Sequence, residues 1–176
     1  MESVSRVRGE LINLGATFMF SSASYFLNLA IPARSLAFTG VPFAAWSILS
    51  GFTNVFWVSL AHKLLGKGYG VLTAVIASSL ILLQGSWFGI SYPPWYGAYG
   101  VLSYVVMGVL TEFVNGGLGN LACAVINWVA LGITFGVWPS YSVVIIASAT
   151  YVTGWLGSKL GGLVISKLLK LEEVKN

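Results

Sequence analysis

Long apolar runs, separated by short clusters of glycine, proline and charged residues, dominate this sequence. A helix that crosses the hydrocarbon core of a bilayer needs about 20 mostly apolar residues. Six such runs follow one another, and helix-ending residues such as Pro32, Pro94 and Pro139 separate several of them. The pattern therefore predicts an all-α integral membrane protein, a single domain formed by a bundle of six transmembrane helices. The predicted spans are about 9–31, 40–60, 68–88, 96–114, 118–137 and 141–165.

The composition strengthens the membrane interpretation. Of 176 residues, 57% are hydrophobic and only 8% are charged, whereas a soluble domain carries about 25% charged residues. So few charges cannot cover the surface of a soluble enzyme or of a nucleic-acid-binding protein, and the net charge of +4 is not gathered on one face. We therefore expect this protein to lie in a lipid bilayer and not to bind nucleic acid.

The distribution of Lys and Arg predicts the orientation of the spans, because cytoplasmic loops are enriched in both residues. If both termini are cytoplasmic, Arg34 is the one basic residue outside. An odd number of spans would separate the basic C-terminal segment from Arg6 and Arg8. We expect a multi-pass protein of the cell membrane with both termini in the cytoplasm. The basic residues predicted inside are Arg6, Arg8, Lys63, Lys67, Lys159, Lys167, Lys170 and Lys175.

Residue types that catalysis and metal binding require are scarce. The sequence has no Asp, one His and one Cys, which excludes histidine-pair zinc motifs and paired cysteine ligands. It contains no Gly-x-Ser-x-Gly motif. The glycine-rich turn at residues 66–70 lacks the Gly-Lys-Ser/Thr end of a phosphate-binding loop. The sequence predicts neither an enzyme nor a bound metal or cofactor.

Two charged residues have open roles. Glu112 lies near the inner end of the fourth span, where it contacts a partner protein, acts as a gating charge, or reaches the interface beside Lys63 or Lys67. Arg34 follows the first span on the outer side, where it is either a lid residue that meets an anionic or polar ligand or an interfacial anchor. The residue types alone leave these alternatives open.

Aromatic residues are concentrated at the predicted outer ends of spans three to six. Tyr and Trp normally mark both membrane interfaces, so this asymmetry favours a stacking pocket for a flat ring, although a thick aromatic belt gives the same pattern. Gln84, Asn127 and Tyr151 lie at depths from which they can supply polar groups to this pocket. The predicted ligand-binding residues are Arg34, Gln84, Trp87, Trp95, Tyr99, Asn127, Trp138 and Tyr151.

Other polar and small residues in the spans favour contacts between helices. Amides at membrane depth usually join helices, and this is the expected role of Asn28, Asn54 and Asn120. On span six, Gly157-x-x-x-Gly161 forms a face of small residues that another helix can approach closely. The sequence does not decide whether this face packs within the bundle or docks a partner.

Six short spans in a chain of this size, with both termini inside, resemble the substrate-binding S component of energy-coupling factor (ECF) transporters. The similarity follows residues 31–45 after span one, 64–73 at the start of span three, and 94–100 and 107–112 in span four. In that family a six-helix bundle captures a vitamin or related micronutrient from outside, the first outer loop acts as a lid, and helices four to six supply most of the pocket. A local similarity of residues 93–108 to the translocator protein family, which has five helices, is a rival interpretation.

The resemblance to S components also implies partners. Members of that family work with a transmembrane T subunit and two ATPase subunits, and an Ala-x-x-x-Ala pattern on the first helix docks the T subunit. Here Thr17-x-x-x-Ser21 is the nearest substitute. A structural or assembly subunit without a ligand, and a stand-alone transporter or channel, are the alternatives. The residues expected at partner contacts are Gly15, Ala16, Thr17, Ser21, Glu112, Gly157 and Gly161.

Overall fold

The computed structural model describes residues 2–31, 37–83 and 96–173, and within these ranges the protein is helical and has no strand. The all-α prediction is therefore confirmed for this part of the chain. Its six α-helices are α1 (Glu2–Leu29), α2 (Gly51–Leu65), α3 (Tyr69–Leu83), α4 (Tyr96–Phe113), α5 (Gly116–Phe135) and α6 (Val143–Glu173).

The second helix begins later than the sequence predicts. Residues Ala37–Thr39 form a short 3₁₀-helix, and the chain then turns through Gly40 and Phe43, whose φ angles are 66° and 57°. Such left-handed conformations cannot continue a right-handed helix. A π-helical segment, Trp46–Ser50, then runs directly into α2, so residues 46–65 form one continuous helical rod.

The first and last helices are longer than the predicted spans. α1 begins at Glu2 instead of near residue 9, and α6 continues to Glu173, beyond the predicted end near residue 165. The added part of α6 consists mainly of Leu, Lys and Glu, which are good helix formers. Helical structure therefore extends into the basic segments at both ends of the chain.

α2 is the central helix and contacts each of the other five α-helices of the described chain. The apolar core lies between α2, α3, α4 and α5. Short connections join α2 to α3, α4 to α5 and α5 to α6, which places the helices of each pair side by side and antiparallel. The buried residues of this core are Val55, Val58, Ala74, Ile81, Tyr104, Met107, Ala130 and Leu131.

Glycines on α6 allow it to lie directly against α2. A Cβ atom on Gly157 would lie 2.5 Å from Phe52 O, and a Cβ atom on Gly161 would lie 3.1 Å from Phe56 O. The backbones are thus too close for larger residues at these positions. The Gly157-x-x-x-Gly161 face packs within the molecule, and we therefore do not assign it to a partner protein.

Two of the described helices are long and apolar enough to cross a membrane, over Gly116–Phe135 in α5 and Val143–Leu168 in α6. The apolar helices Tyr69–Leu83 and Gly97–Phe113 are shorter, and both adjoin residues 84–95, which lie outside the described ranges. The structure therefore supports membrane association through α5 and α6.

Polar and apolar side chains are distributed in an unusual way. Several amides and hydroxyls, such as Asn28, Asn54 and Thr150, are buried, whereas large apolar residues such as Met19 and Ile133 are exposed. Monomeric soluble proteins rarely expose large contiguous apolar patches. This distribution fits a protein whose exterior contacts lipid and whose interior holds a polar site.

Candidate functional site

A small internal cavity of about 20 Å³ lies between α2, α4, α5 and the segment that precedes α2. This volume holds about one water molecule. Aromatic rings and neutral polar groups form its walls, and none of the described lining residues is charged. These residues are Phe43, Trp46, Ser47, Ser50, Asn54, Tyr104, Met107, Asn120, Cys123, Ala124 and Asn127.

A buried hydrogen-bond network joins α1, α2 and α4 at one wall of the cavity. Asn54 is its centre, since its Oδ1 accepts hydrogen bonds from Ser24 Oγ at 2.5 Å and from Asn28 Nδ2 at 2.7 Å. Asn54 Nδ2 donates to Tyr104 Oη at 2.8 Å. All four residues are buried, and hydrogen bonds are electrostatically stronger in such a low-dielectric interior. The network fixes the direction of the Asn54 amide.

Asn120 links the π-helical segment to α6. Its Nδ2 donates to Ser47 O at 3.0 Å and to Thr150 O at 2.7 Å. A Cβ atom on Gly51 would overlap the Asn120 amide, so glycine makes room for it. π-helical turns in longer helices occur frequently at functional sites, and this one lies directly at the cavity.

Asn127 lies about two turns further along α5 than Asn120. Its Nδ2 donates to Ser103 Oγ and to Cys123 O, both at 2.8 Å. Its Oδ1 is buried and has no hydrogen-bond partner. Most buried polar atoms are paired in proteins, so this oxygen is an unused acceptor in a residue that lines the cavity.

Hydrogen bonds join the segment before α2 to the later part of α5 and to the connection between α5 and α6. Trp128 Nε1 donates to Pro42 O at 2.8 Å. Ser140 N donates to Gly40 O at 3.1 Å, and Ser140 Oγ donates to Thr39 O at 2.8 Å. These bonds hold Phe43 and its neighbours as one wall of the cavity.

Among the predicted ligand-binding residues, the structure places Asn127 at the cavity. Tyr99, Trp138 and Tyr151 do not line it and are 37%, 60% and 36% exposed. The Trp138 ring folds back against Gly132, and the Tyr151 ring lies against Gly117. Arg34, Gln84, Trp87 and Trp95 lie outside the described residues. Tyr99, Trp138 and Tyr151 thus lie away from this cavity, and the outer stacking pocket stays a prediction, because half of its predicted residues lie outside the described ranges.

Sequence reasoning assigned several of the cavity residues to a different role. Asn54 and Asn120 were expected to join helices, which they do, yet both also line the cavity. Trp46 was expected near the outer aromatic group, and Tyr104 and Phe43 received no role, because their spacing does not distinguish them from other aromatic residues in the spans. The number of amides in apolar segments is the sequence feature that indicates such a cavity, since buried amides at similar depth tend to gather where helices meet.

Glu112 forms hydrogen bonds within the molecule, at the turn between α2 and α3. Its shielded carboxylate accepts hydrogen bonds from Gly68 N at 2.5 Å and from Val71 N at 3.3 Å, and His62 Nδ1 lies 3.3 Å from it. The first amides of a helix favour a negative charge. Glu112 thus caps α3 at the turn that carries Lys67, and its predicted roles as a partner contact, a gating charge or an interfacial carboxylate stay predictions.

Lys63 instead lies against α6. Its Nζ donates to Ser158 O at 3.3 Å. Burial, followed by the positive charge of Lys159, lowers the pKa of the Lys63 ammonium below its usual range. Lys159 also lies over the Trp155 ring, with its Nζ 5.6 Å from the ring centre. The hydrogen bond from Lys63 joins the C-terminal end of α2 to the middle of α6.

The predicted docking face on α1 is partly internal. Thr17 and Ser21 are fully buried, and Ser21 Oγ lies 3.1 Å from Thr73 O on α3. Gly15 is exposed, with open space around its Cα, and Ala16 is half-buried. The Thr17-x-x-x-Ser21 pattern therefore serves the contact with α3, which leaves Gly15 as the accessible member of the set.

The chemistry of the site suits binding. Its lining residues offer amide and hydroxyl groups beside aromatic rings, a combination typical of small-molecule sites. In the described ranges, no group of three or more His, Cys, Asp or Glu residues is placed to hold a metal ion. Comparisons with protein-family models, with curated proteins and with solved structures give no match for this chain.

Proposed function

We propose that this protein is a membrane-embedded binding protein that takes a small, vitamin-like heterocycle into the core of a six-span helical bundle. One observation carries the proposal: neutral hydrogen-bonding groups surround a cavity inside a molecule whose exterior is rich in apolar side chains. Polar groups at membrane depth are costly and are functional candidates by default. Capture of a polar ligand gives these amides a use beyond helix packing.

The proposed topology puts both termini in the cytoplasm. Asn13 Nδ2 lies 3.5 Å from Tyr69 Oη, and Lys63 lies against Ser158. The early part of α1, the α2–α3 turn and the later part of α6 therefore share one end of the bundle, where most basic residues lie. This arrangement supports an even number of spans, with the positive charges inside.

The resemblance to S components completes the proposal. Ligand is captured from the outer side, and a transmembrane T subunit with ATPase subunits supplies the energy for its release into the cell. Phe43 and Trp46, in the connection between α1 and α2, form part of the cavity wall. Since the cavity has room for only about one water molecule, a heterocycle fits only after Phe43 and Trp46 move away from α5.

The first test is mass spectrometry of small molecules released by denaturing the protein after purification in mild detergent. We expect a stoichiometric heterocycle, and we expect that compound to raise the melting temperature of the emptied protein. Asn127→Leu should weaken its binding by about tenfold or more, whereas Asn13→Leu, an amide replacement away from the cavity, should not. Unchanged affinity in a folded Asn127→Leu protein would refute the site.

A structural or assembly subunit without a ligand is the second candidate. It is favoured by the small cavity volume and by the way the amides of Asn54 and Asn120 bind groups of the protein itself. It predicts an empty protein, no melting shift with a panel of water-soluble vitamins, and obligatory co-purification with a partner. A stand-alone transporter differs from both, since it predicts flux in liposomes containing this chain alone.

A further inference from the structure

On the two α5 amides at the cavity, Asn120 and Asn127, the hydrogen-bonding capacity left over is on the acceptor side. Asn120 gives both amide hydrogens to backbone carbonyls, those of Ser47 and Thr150. Asn127 likewise donates to two neighbours, each at 2.8 Å. A side-chain amide has two donor hydrogens and one acceptor oxygen. What these two amides still offer to a ligand is therefore oxygen.

The acceptor on Asn127 stands out. Its Oδ1 has no hydrogen-bond partner although the residue is only 5% exposed. A buried acceptor without a partner is unfavourable, and such atoms are commonly completed by a water or a ligand. Asn127 is one of the residues that line the cavity, so a ligand bound there lies beside its amide.

The remaining walls disfavour negative charge. Phe43, Trp46 and Tyr104 bring aromatic rings to the cavity, and the faces of such rings carry negative electrostatic potential. The described lining residues supply no positive charge to balance a carboxylate or phosphate, and burying an unpaired charge is strongly unfavourable. A neutral flat ring meets no such penalty, and for a positively charged ring the attraction of aromatic faces for cations offsets part of it.

We infer that the ligand is recognised through hydrogen bonds that it donates, as a neutral or positively charged ring compound bearing N–H or O–H groups, and that anionic ligands are rejected. This inference rests on the proposed function, because it specifies the class of molecule that the same cavity takes. Asn127 Oδ1 is the acceptor for one of the donated hydrogen bonds.

Matched probes test the inference with the full chain in mild detergent. Benzene, pyridine and pyrimidine rings are each used as the primary amide, the N,N-dimethylamide, the carboxylate and the amidine. Affinity is measured by titration calorimetry. We expect binding by amides and amidines, and affinities weaker by about tenfold or more for dimethylamides and carboxylates. A carboxylate that binds as tightly as its amide overturns the inference and leaves the capture function standing.

The identity of any co-purified compound provides a second readout. A compound with donor groups and no negative charge supports the inference, and an anion overturns it, even if none of the probes binds. No binding by any probe, together with an empty purified protein, overturns both the inference and the proposed function. The two failures are therefore distinguishable.

Asn127→Asp tests the assigned acceptor. The new carboxylate should raise the amidine-to-amide affinity ratio by about tenfold or more, while Asn13→Asp, the same change on α1 away from the cavity, should leave the ratio unchanged. If Asn127→Asp does not fold, Ser47→Asp places a carboxylate on another lining residue and should shift the ratio in the same direction. An unchanged ratio in a folded Asn127→Asp protein refutes the role of Asn127.

Discussion

At the scale of single residues, Asn54 is the centre of a buried network, with hydrogen bonds to three other side chains. Its oxygen accepts two hydrogen bonds and its nitrogen donates one, so three side chains from two other helices depend on its orientation. Loss of one partner leaves a buried polar group unsatisfied, which costs more than the net gain of an ordinary hydrogen bond. The network is therefore sensitive to changes of a single atom.

Tyr104→Phe removes one oxygen from this network and is expected to destabilise the protein by about 1–3 kcal/mol, since Asn54 Nδ2 loses its acceptor in a buried site. The melting temperature in detergent should fall, by about 2–4 °C for each kcal/mol. Tyr141→Phe is the matched control, because Tyr141 is 101% exposed. Equal melting temperatures for the two variants would show that the hydroxyl of Tyr104 contributes nothing.

The sequence predicts part of this residue-level picture. Amides in apolar segments mark the places where helices meet, and Asn28, Asn54 and Asn120 do lie there. Which amides share one cavity depends on helix rotation and on the π-helical turn at Trp46–Ser50. Neither follows from spacing along the chain. The same is true of Glu112, whose partners on the α2–α3 turn are about forty residues away in sequence.

At the scale of elements, glycines determine how closely the helices approach. Gly157 lies where α6 crosses the backbone of α2, and Gly15 lies on an open face of α1. The two positions are both helical, so intrinsic propensity favours alanine over glycine at each by about 1 kcal/mol. The two positions therefore differ in how closely neighbouring atoms pack around them.

Gly157→Ala and Gly15→Ala are therefore expected to have effects of opposite sign. A Cβ atom at Gly157 would lie 2.5 Å from Phe52 O, and overpacking of this kind costs about 1–3 kcal/mol. A Cβ atom at Gly15 meets nothing within 4 Å, so its variant should be neutral or slightly more stable. Thermal unfolding of both proteins in the same detergent measures the difference, and destabilisation of similar size in both would contradict the tight α2–α6 contact.

Helix positions follow from the sequence better than helix ends do. Apolar runs place all six α-helices of the described chain, because each helix buries one face against its neighbours. The predicted start of α2 is too early because Gly40 and Phe43 adopt left-handed backbone angles, which interrupt the helix. Phe43 is apolar, so the sequence gives no sign of a turn at this position. The ends of α1 and α6 were misplaced because amphipathic residues continue a helix beyond its most apolar part.

At the scale of the whole molecule, the arrangement of the helices and the distribution of charge point to the same orientation. The α2–α3 turn with Lys67 lies at one end of the bundle, near Glu112 at the end of α4. Ser140, in the connection between α5 and α6, lies at the other end against Gly40. Positive charges concentrate at the first end, as expected for the cytoplasmic side.

This orientation is testable because the chain has a single cysteine, Cys123, which is removed by Cys123→Ala before new cysteines are introduced. Lys67→Cys and Tyr141→Cys place exposed thiols at opposite ends of the bundle. A membrane-impermeant maleimide should label Tyr141→Cys in intact cells and Lys67→Cys only in inverted vesicles, since positively charged loops stay in the cytoplasm. Labelling of both from the same side would exclude membrane crossing between these positions, and the reverse pattern would place the cavity wall formed by Phe43 towards the cytoplasm.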